Sequence, residues 1–262
     1  MLLRFIESIG DKTIDTISSI YEALKFTSIC LFHMLKPHSY NPAMRVVLTK
    51  QIYFTTIEII PLFIIMAVFF GSIIIGVIIS LATEYDLQES IGSIIITFVI
   101  DEFSPFFTAL LISLRSGTAV NTEIAVMNVN KELNTLNEYK INIIDYLFLP
   151  RIIGGMISVT SLSILFAIIM LSSGYIYTMF YMHMDFHTYR QLLINAIEVK
   201  DLIFLLVKSM AFGFMTMLIP IYSGLNAKSS YTAIPISVLS GMVKLFIALF
   251  SIEVLSLVLQ LI

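Results

Sequence analysis

Apolar residues run through this chain in blocks too long for a soluble core. No charge interrupts Ile59 to Thr83, and Ile152 to Met182 is likewise uncharged. A helix crosses a hydrocarbon core with about twenty predominantly apolar residues, so each block predicts a membrane span. Three more follow by the same logic, at about Ser90 to Leu114, Leu202 to Leu225, and about Pro235 to Ile262. The aromatic group Tyr175, Tyr177, Phe180 and Tyr181 suits emergence of the long third block through an interfacial belt. After it, the mixed-charge stretch 183–201 predicts a short helix outside the bilayer.

Ahead of the first span, Leu2, Phe5, Ile6, Ile9, Ile14, Ile17, Ile20, Tyr21 and Leu24 keep one apolar side, with most charges opposite. That pattern fits a helix lying in the membrane interface. Phe26 to Leu35 is too short to cross and reads as interfacial or re-entrant. Glu7, Asp11, Lys12 and Asp15 break what would be the apolar core of a secretory signal, so no cleavage is expected. The expected fold is an all-α integral membrane protein with five transmembrane helices preceded by an amphipathic interfacial helix. Residues 1–50 form the interfacial segment and 51–262 the five-span domain, with a polar segment at 116–150 inside it.

That polar segment, bracketed by Arg115 and Arg151 within the longer stretch Asp101 to Arg151, reads as a structured loop outside the bilayer. Within it Val126, Val129, Leu133, Leu136 and Tyr139 recur at spacings of three and four and predict one amphipathic helix. Its apolar stripe either packs on the chain's own spans or docks into another protein on the same side. Arg115 and Glu123 are candidates for holding the segment's shape. Their separation along the chain disfavours a direct pair, so each is expected to bond other groups.

Composition agrees with the periodicity: 58% of residues are hydrophobic, 13% are charged, and the mean hydropathy is +0.95. A formal net charge of −3 leaves no basic footprint for nucleic acid. The single cysteine, Cys30, excludes an internal disulfide. His33, His38, His183 and His187 lack the carboxylate or thiolate set that would complete a metal site, so no metal is expected. Lys36, Arg45, Lys50, Arg115, Lys131, Lys140, Arg151 and Lys228 fall on one side of the spans, against Arg190 and Lys200 on the other. The positive-inside rule makes the first side cytoplasmic, with the amino terminus inside and the carboxyl terminus outside.

Five ionisable residues fall within the apolar blocks. Asp101 and Glu102 lie near the middle of the second span, where each carboxylate costs about 2.5 to 3.5 kcal/mol on insertion scales. At least one is expected to line a polar cavity, the alternative being a protonated or paired structural role. Lys208 lies near enough to a span end to snorkel. Lys244 and Glu253 sit too far apart on the last span to serve each other and call for partners elsewhere. Gly71 and Gly76 lack the lysine of a phosphate loop, so ATP, if used, binds to another chain.

The residues also carry a resemblance. Asp101-Glu102-Phe103-Ser104-Pro105 is similar to the R-E-L-G-P of MlaE/YrbE-type permeases. Leu114-Arg115-Ser116-Gly117-Thr118 and Thr122-Glu123-Ile124-Ala125-Val126-Met127 resemble their G-R-x-G-[ST] and A-E-[LI]-x-x-M. Lys131-Glu132-Leu133, Tyr146-Leu147-Phe148-Leu149-Pro150-Arg151 and Lys208-Ser209 with Phe212-Gly213 continue the likeness, and Glu253 stands at the family's acidic position in the last span. Asp101 replaces a family arginine, Tyr139-Lys140 and Ile143 replace Met-Gly and Pro, and Ile236 replaces an arginine.

The resemblance implies the permease subunit of an ATP-driven ABC transporter that moves phospholipid between the inner and outer bacterial membranes and maintains lipid asymmetry. Implied partners are a second copy of the chain, ABC ATPase subunits that use ATP and Mg, and MCE-domain proteins outside, with no cofactor held by this chain. Glu123, Val126, Val129, Lys131, Glu132, Leu133, Leu136 and Tyr139 would form the ATPase-coupling surface. Arg115, Gly117, Pro150 and Arg151 would structure the loop, and Ile74, Leu81, Ala82, Tyr85 and Glu102 would line the lipid cavity. The competing readings are an ion-coupled secondary transporter using Asp101, Glu102 and Glu253, and a membrane scaffold without transport.

Overall fold

The computed structural model describes residues 18, 21–37, 40, 42–87, 90–181 and 183–260. The apolar positions from Leu2 to Ile20 on which an interfacial helix was read lie outside those residues. The described chain forms helix α1 (21–35), α2 (Pro42–Thr56), α3 (Ile60–Glu84), α4 (Ile91–Ile96), α5 (Ser104–Ile112), α6 (Thr118–Val129) and α7 (Glu132–Glu138). It continues through α8 (Leu149–Tyr181), α9 (Phe186–Ala196), α10 (Val199–Leu225) and α11 (Ala233–Gln260). Five stretches are long and apolar enough to cross a membrane: Met44–Glu84, Ile91–Val129, Ile144–Tyr181, Val199–Leu225 and Ala233–Gln260. The five-span, all-helical expectation holds, and α9 is the short helix expected between the third and fourth spans.

Three of the irregular turns among the described residues have a common cause. The 3-10 turn Ile57–Ile59 precedes Pro61, and the π turns Thr97–Phe103 and Ile144–Phe148 precede Pro105 and Pro150. A proline has no amide hydrogen for the carbonyl four residues back, so the helix widens or tightens there rather than stopping.

The third span, α8, sits at the centre and packs against α2, α3, α5 and α10. Its contact with α10 is backbone-close: a Cβ on Gly213 would strike the backbone of Met156 and the carbonyl of Gly155. Beside it Phe63, Phe103, Phe107 and Phe166 form an aromatic core, with centroid separations of 5.9 Å for Phe63–Phe166, 5.2 Å for Phe103–Phe107 and 5.3 Å for Phe107–Phe166. Such pairs contribute about 0.5 to 1.5 kcal/mol each beyond their area. The last helix, α11, packs on α10, α6 and α5 and buries only Gly241, Met242, Leu245, Leu249 and Ser256.

Two boundaries differ from expectation. The second span does not end at Leu114 but runs on through α6, because Val120, Asn121, Ile124 and Ala125 are buried against α10 and α11. Much of the expected loop is therefore an extension of the span. The single amphipathic helix over Val126 to Tyr139 is two helices, broken where Lys131 adopts φ 61, a left-handed conformation that ends α6 and caps α7. Of its stripe, Leu133 is buried, Val126, Val129 and Leu136 are half-buried, and Tyr139 is exposed.

Candidate functional site

Three spans bring ionisable side chains together inside the bundle. Lys208 of α10 is buried and lies between Glu102, in the π turn of the second span, and Glu253 of α11. Its ammonium donates to Glu102 Oε2, lies 3.0 Å from Glu253 Oε2, and donates to the carbonyl oxygen of Asp101 at 2.8 Å. That carbonyl is the one Pro105 leaves without its α-helical partner, so the lysine supplies the missing donor. The Phe204 ring lies 5.6 Å from the same ammonium. Lys208 does not snorkel: its side chain is 2% exposed. The reason is the pair of carboxylates, which need a cation more than the lysine needs water.

Glu253 thus has the partner on another span that its depth demanded. Lys244 is exposed on α11 and, among the described residues, makes no ion pair; it shares a small cavity with Ser223, Lys228, Ser237 and Ser240. Asp101 is buried at 7% exposure and its Oδ1 has no hydrogen-bond partner among the described residues. It lines a cavity at the end of the bundle where Lys200 and Asp201 begin α10. The π turn separates its side chain from that of Glu102: one faces a cavity and the other an ion pair.

A second constellation ties the polar segment to the spans. Arg151 is buried, donates to the Leu147 carbonyl at 2.9 Å and meets Glu123 Oε1 at 2.6 Å. Arg115 meets Glu58 Oε2 at 2.7 Å, joining the first span to the second, with both side chains partly exposed. The two residues considered for a direct pair each bond elsewhere, as their spacing required. Asn128 Nδ2 donates to the carbonyls of Leu225 and Ala227 at 2.8 and 3.1 Å, closing the end of α10 onto α6. Gly117 borders Thr216, Pro220 and Leu245 at ordinary contact distance, and Pro150 is buried at the head of α8.

α1 joins this constellation. His33 Nδ1 and Asp145 Oδ1 are 2.8 Å apart, Asn142 donates to the other Asp145 oxygen at 2.8 Å, and Phe26 packs edge-on against Phe148. Burial pushes the Cys30 thiol on the same helix up to about 12. Sequence reasoning weighed His33 only as a metal ligand and passed over Asp145 and Asn128, whose partners lie far along the chain and leave no periodic signal. A count of the acids inside the bundle against the bases there would have paired Lys208 with Glu102 and Glu253.

The residues expected to line a lipid cavity are divided. Leu81 on α3 and Tyr85 just beyond its end are exposed, Ile74 is half-buried and Ala82 is buried within the chain. Glu102 stands with Lys208 rather than at the open surface of α3. The described residues hold no cluster of His, Cys, Asp and Glu suited to a metal ion.

Comparison with known proteins bears on the whole bundle. Residues 48–259 match the family described as Permease MlaE. A probable ABC transporter permease protein of Rickettsia typhi is 25% identical over 224 residues, covering 86% of this chain and 85% of the relative. The intermembrane phospholipid transport system permease protein MlaE of Haemophilus influenzae is 26% identical over 176 residues, 66% of this chain and 65% of that one. The chloroplastic protein TRIGALACTOSYLDIACYLGLYCEROL 1 of Arabidopsis thaliana is 25% identical over 169 residues, 64% of this chain and 48% of its own.

Proposed function

The chain belongs to the MlaE permease family, and we propose from that premise that it is the membrane subunit of an ATP-driven transporter that moves phospholipid between the inner and outer membranes of a bacterium. The observation that carries the reading is the family match from 48 to 259; the name of the Haemophilus relative supplies the substrate. In this reading the transporter maintains lipid asymmetry, the chain sits in the inner membrane as a homodimer, its amino terminus faces the cytoplasm and its carboxyl terminus the periplasm. ABC ATPase subunits bind below and MCE-domain proteins outside.

The geometry offers a route for such coupling. A load on α6 and α7, through Glu123, Val126, Val129, Lys131, Glu132, Leu136 and Tyr139, reaches α8 by the Arg151–Glu123 pair and the first span by the Arg115–Glu58 pair. Leu133, being buried, fastens α7 to the bundle. Ile74, Leu81 and Tyr85 present apolar surface suited to acyl chains, with Ala82 behind them. Glu102 and Glu253, held by Lys208, fix the outer halves of the second and fifth spans to the fourth.

The test is reconstitution of the chain with its companion subunits in proteoliposomes and measurement of fluorescent phospholipid movement. Movement that requires ATP hydrolysis is the expected result. Uptake driven by a proton gradient through the isolated chain would replace this reading with ion-coupled transport.

A further inference from the structure

Beside the Lys208 cluster, at the head of α10, lies a cavity of about 510 Å³ whose walls include Asp101, Asp201, Lys200, Phe204 and Leu257. Two features set it apart from a groove between helices. Asp101 and Asp201 are 7% and 5% exposed, and Asp101, which lines the cavity, keeps its Oδ1 buried with no hydrogen-bond partner among the described residues. The nearby ammonium of Lys208 does not hydrogen-bond this carboxylate, since it is turned to the Asp101 backbone carbonyl, Glu102 and Glu253. A buried carboxylate oxygen without a partner is costly unless a donor comes to it.

The rest of the wall selects the donor. Asp201 Oδ2 already accepts the backbone N–H of Glu198 at 2.9 Å, so it contributes charge more than free coordination. Phe204 offers an aromatic face and Leu257 an apolar side chain. Small inorganic cations are held by shells of six or more oxygens, which this wall does not provide. An organic ammonium matches it: one face toward the carboxylates, the other against an aromatic ring. Lys200 stands at the same wall with its ammonium exposed, 3.1 Å from Glu198 Oε2. A carboxylate pair with a lysine beside it is complementary to a zwitterion.

We propose that this cavity binds the ammonium group of a zwitterionic aminophospholipid, with the Asp101 carboxylate as its hydrogen-bond acceptor and Lys200 facing the phosphate. The proposal rests on the phospholipid-permease reading and names the headgroup class that reading leaves open.

The chain, purified with the subunits that accompany it and exchanged into micelles holding equal phosphatidylethanolamine and phosphatidylglycerol, is analysed for retained lipid by mass spectrometry. Wild type is expected to enrich the ethanolamine lipid on the order of tenfold, the ratio that one charge-assisted hydrogen bond supports. Asp101→Asn, which keeps the shape and removes the charge, is expected to return the ratio to near one. Lys200→Gln, on the exposed wall and safe for folding, is expected to reduce enrichment in part. An unselective wild type, or enrichment that persists in Asp101→Asn, overturns the assignment. Thermal protection by ethanolamine salt alone, without lipid enrichment, assigns the cavity to a free amine and overturns the lipid part. Absence of any retained phospholipid strikes the permease reading instead, so the two failures are distinguishable.

Discussion

Lys208 Nζ lies 2.8 Å from the carbonyl oxygen of Asp101, a residue 107 positions away in the chain, and repairs the gap that Pro105 leaves in the second span. The same ammonium is the only cation bonded to Glu102 and Glu253 among the described residues. Removing one partner from a buried pair leaves an uncompensated charge. Lys208→Met is expected to cost on the order of 3 kcal/mol or more, measured by detergent-titrated unfolding in mixed micelles. Adding Glu102→Gln and Glu253→Gln to that variant should recover a substantial part of the loss. Equal stability of the single and triple variants would show that the cluster is not held by charge.

The Arg151–Glu123 pair is asymmetric, because the arginine side chain is 6% exposed and the glutamate 54%. Losing the glutamate strands a buried cation, whereas losing the arginine leaves a carboxylate that water can reach. Glu123→Ala is therefore expected to destabilise by about 2 to 3 kcal/mol and Arg151→Met by less. The same unfolding measurement ranks them, and the reverse order would contradict the burial argument.

Close approach of α8 and α10 makes Gly213 intolerant of a side chain, while Gly117 has ordinary contact distances around it. Gly213→Ala should lose about 1 to 3 kcal/mol through overpacking. Gly117→Ala should be neutral or gain up to about 1 kcal/mol from helix propensity. Parallel unfolding curves for the two variants check both signs.

Cys30 reports on the docking of α1. Its thiol, pushed up to about 12 by burial, stays protonated between pH 7 and 9 and reacts slowly with maleimide. Undocking returns it toward the usual value of about 8.5, so the thiolate fraction at pH 8 rises. Asp145→Ala, which frees His33, is expected to speed labelling at least tenfold at pH 8. Unchanged labelling would mean that the His33–Asp145 contact does not hold the helix.

The sequence made the spans readable because hydrocarbon imposes a length and a composition on every crossing segment. It also marked Asp101, Glu102 and Glu253, since acids at that depth stand out. It misled at Lys208, where distance from a span end suggested escape to water and two carboxylates on other helices decided otherwise. It misled again at α6, where polar residues between Arg115 and Lys131 looked like a loop. One face of that helix, with Val120, Asn121, Ile124 and Ala125, packs on α10 and α11, and only tertiary packing discloses this. The break at Lys131 was hidden because a lysine gives no warning of a left-handed backbone. The cavity beside Asp101 draws its wall from three spans, and no local pattern foretells such a meeting.

The shallow seating of α11, set beside its half-buried Glu253, has a mechanical consequence. A helix that grips its neighbours over so few side chains could slide freely, except that withdrawal would carry Glu253 away from Lys208, its one counter-charge among the described residues. The ionic contact acts as a detent: it gives the last helix one rest position and resists small displacements. It releases only to something that brings a positive charge of its own.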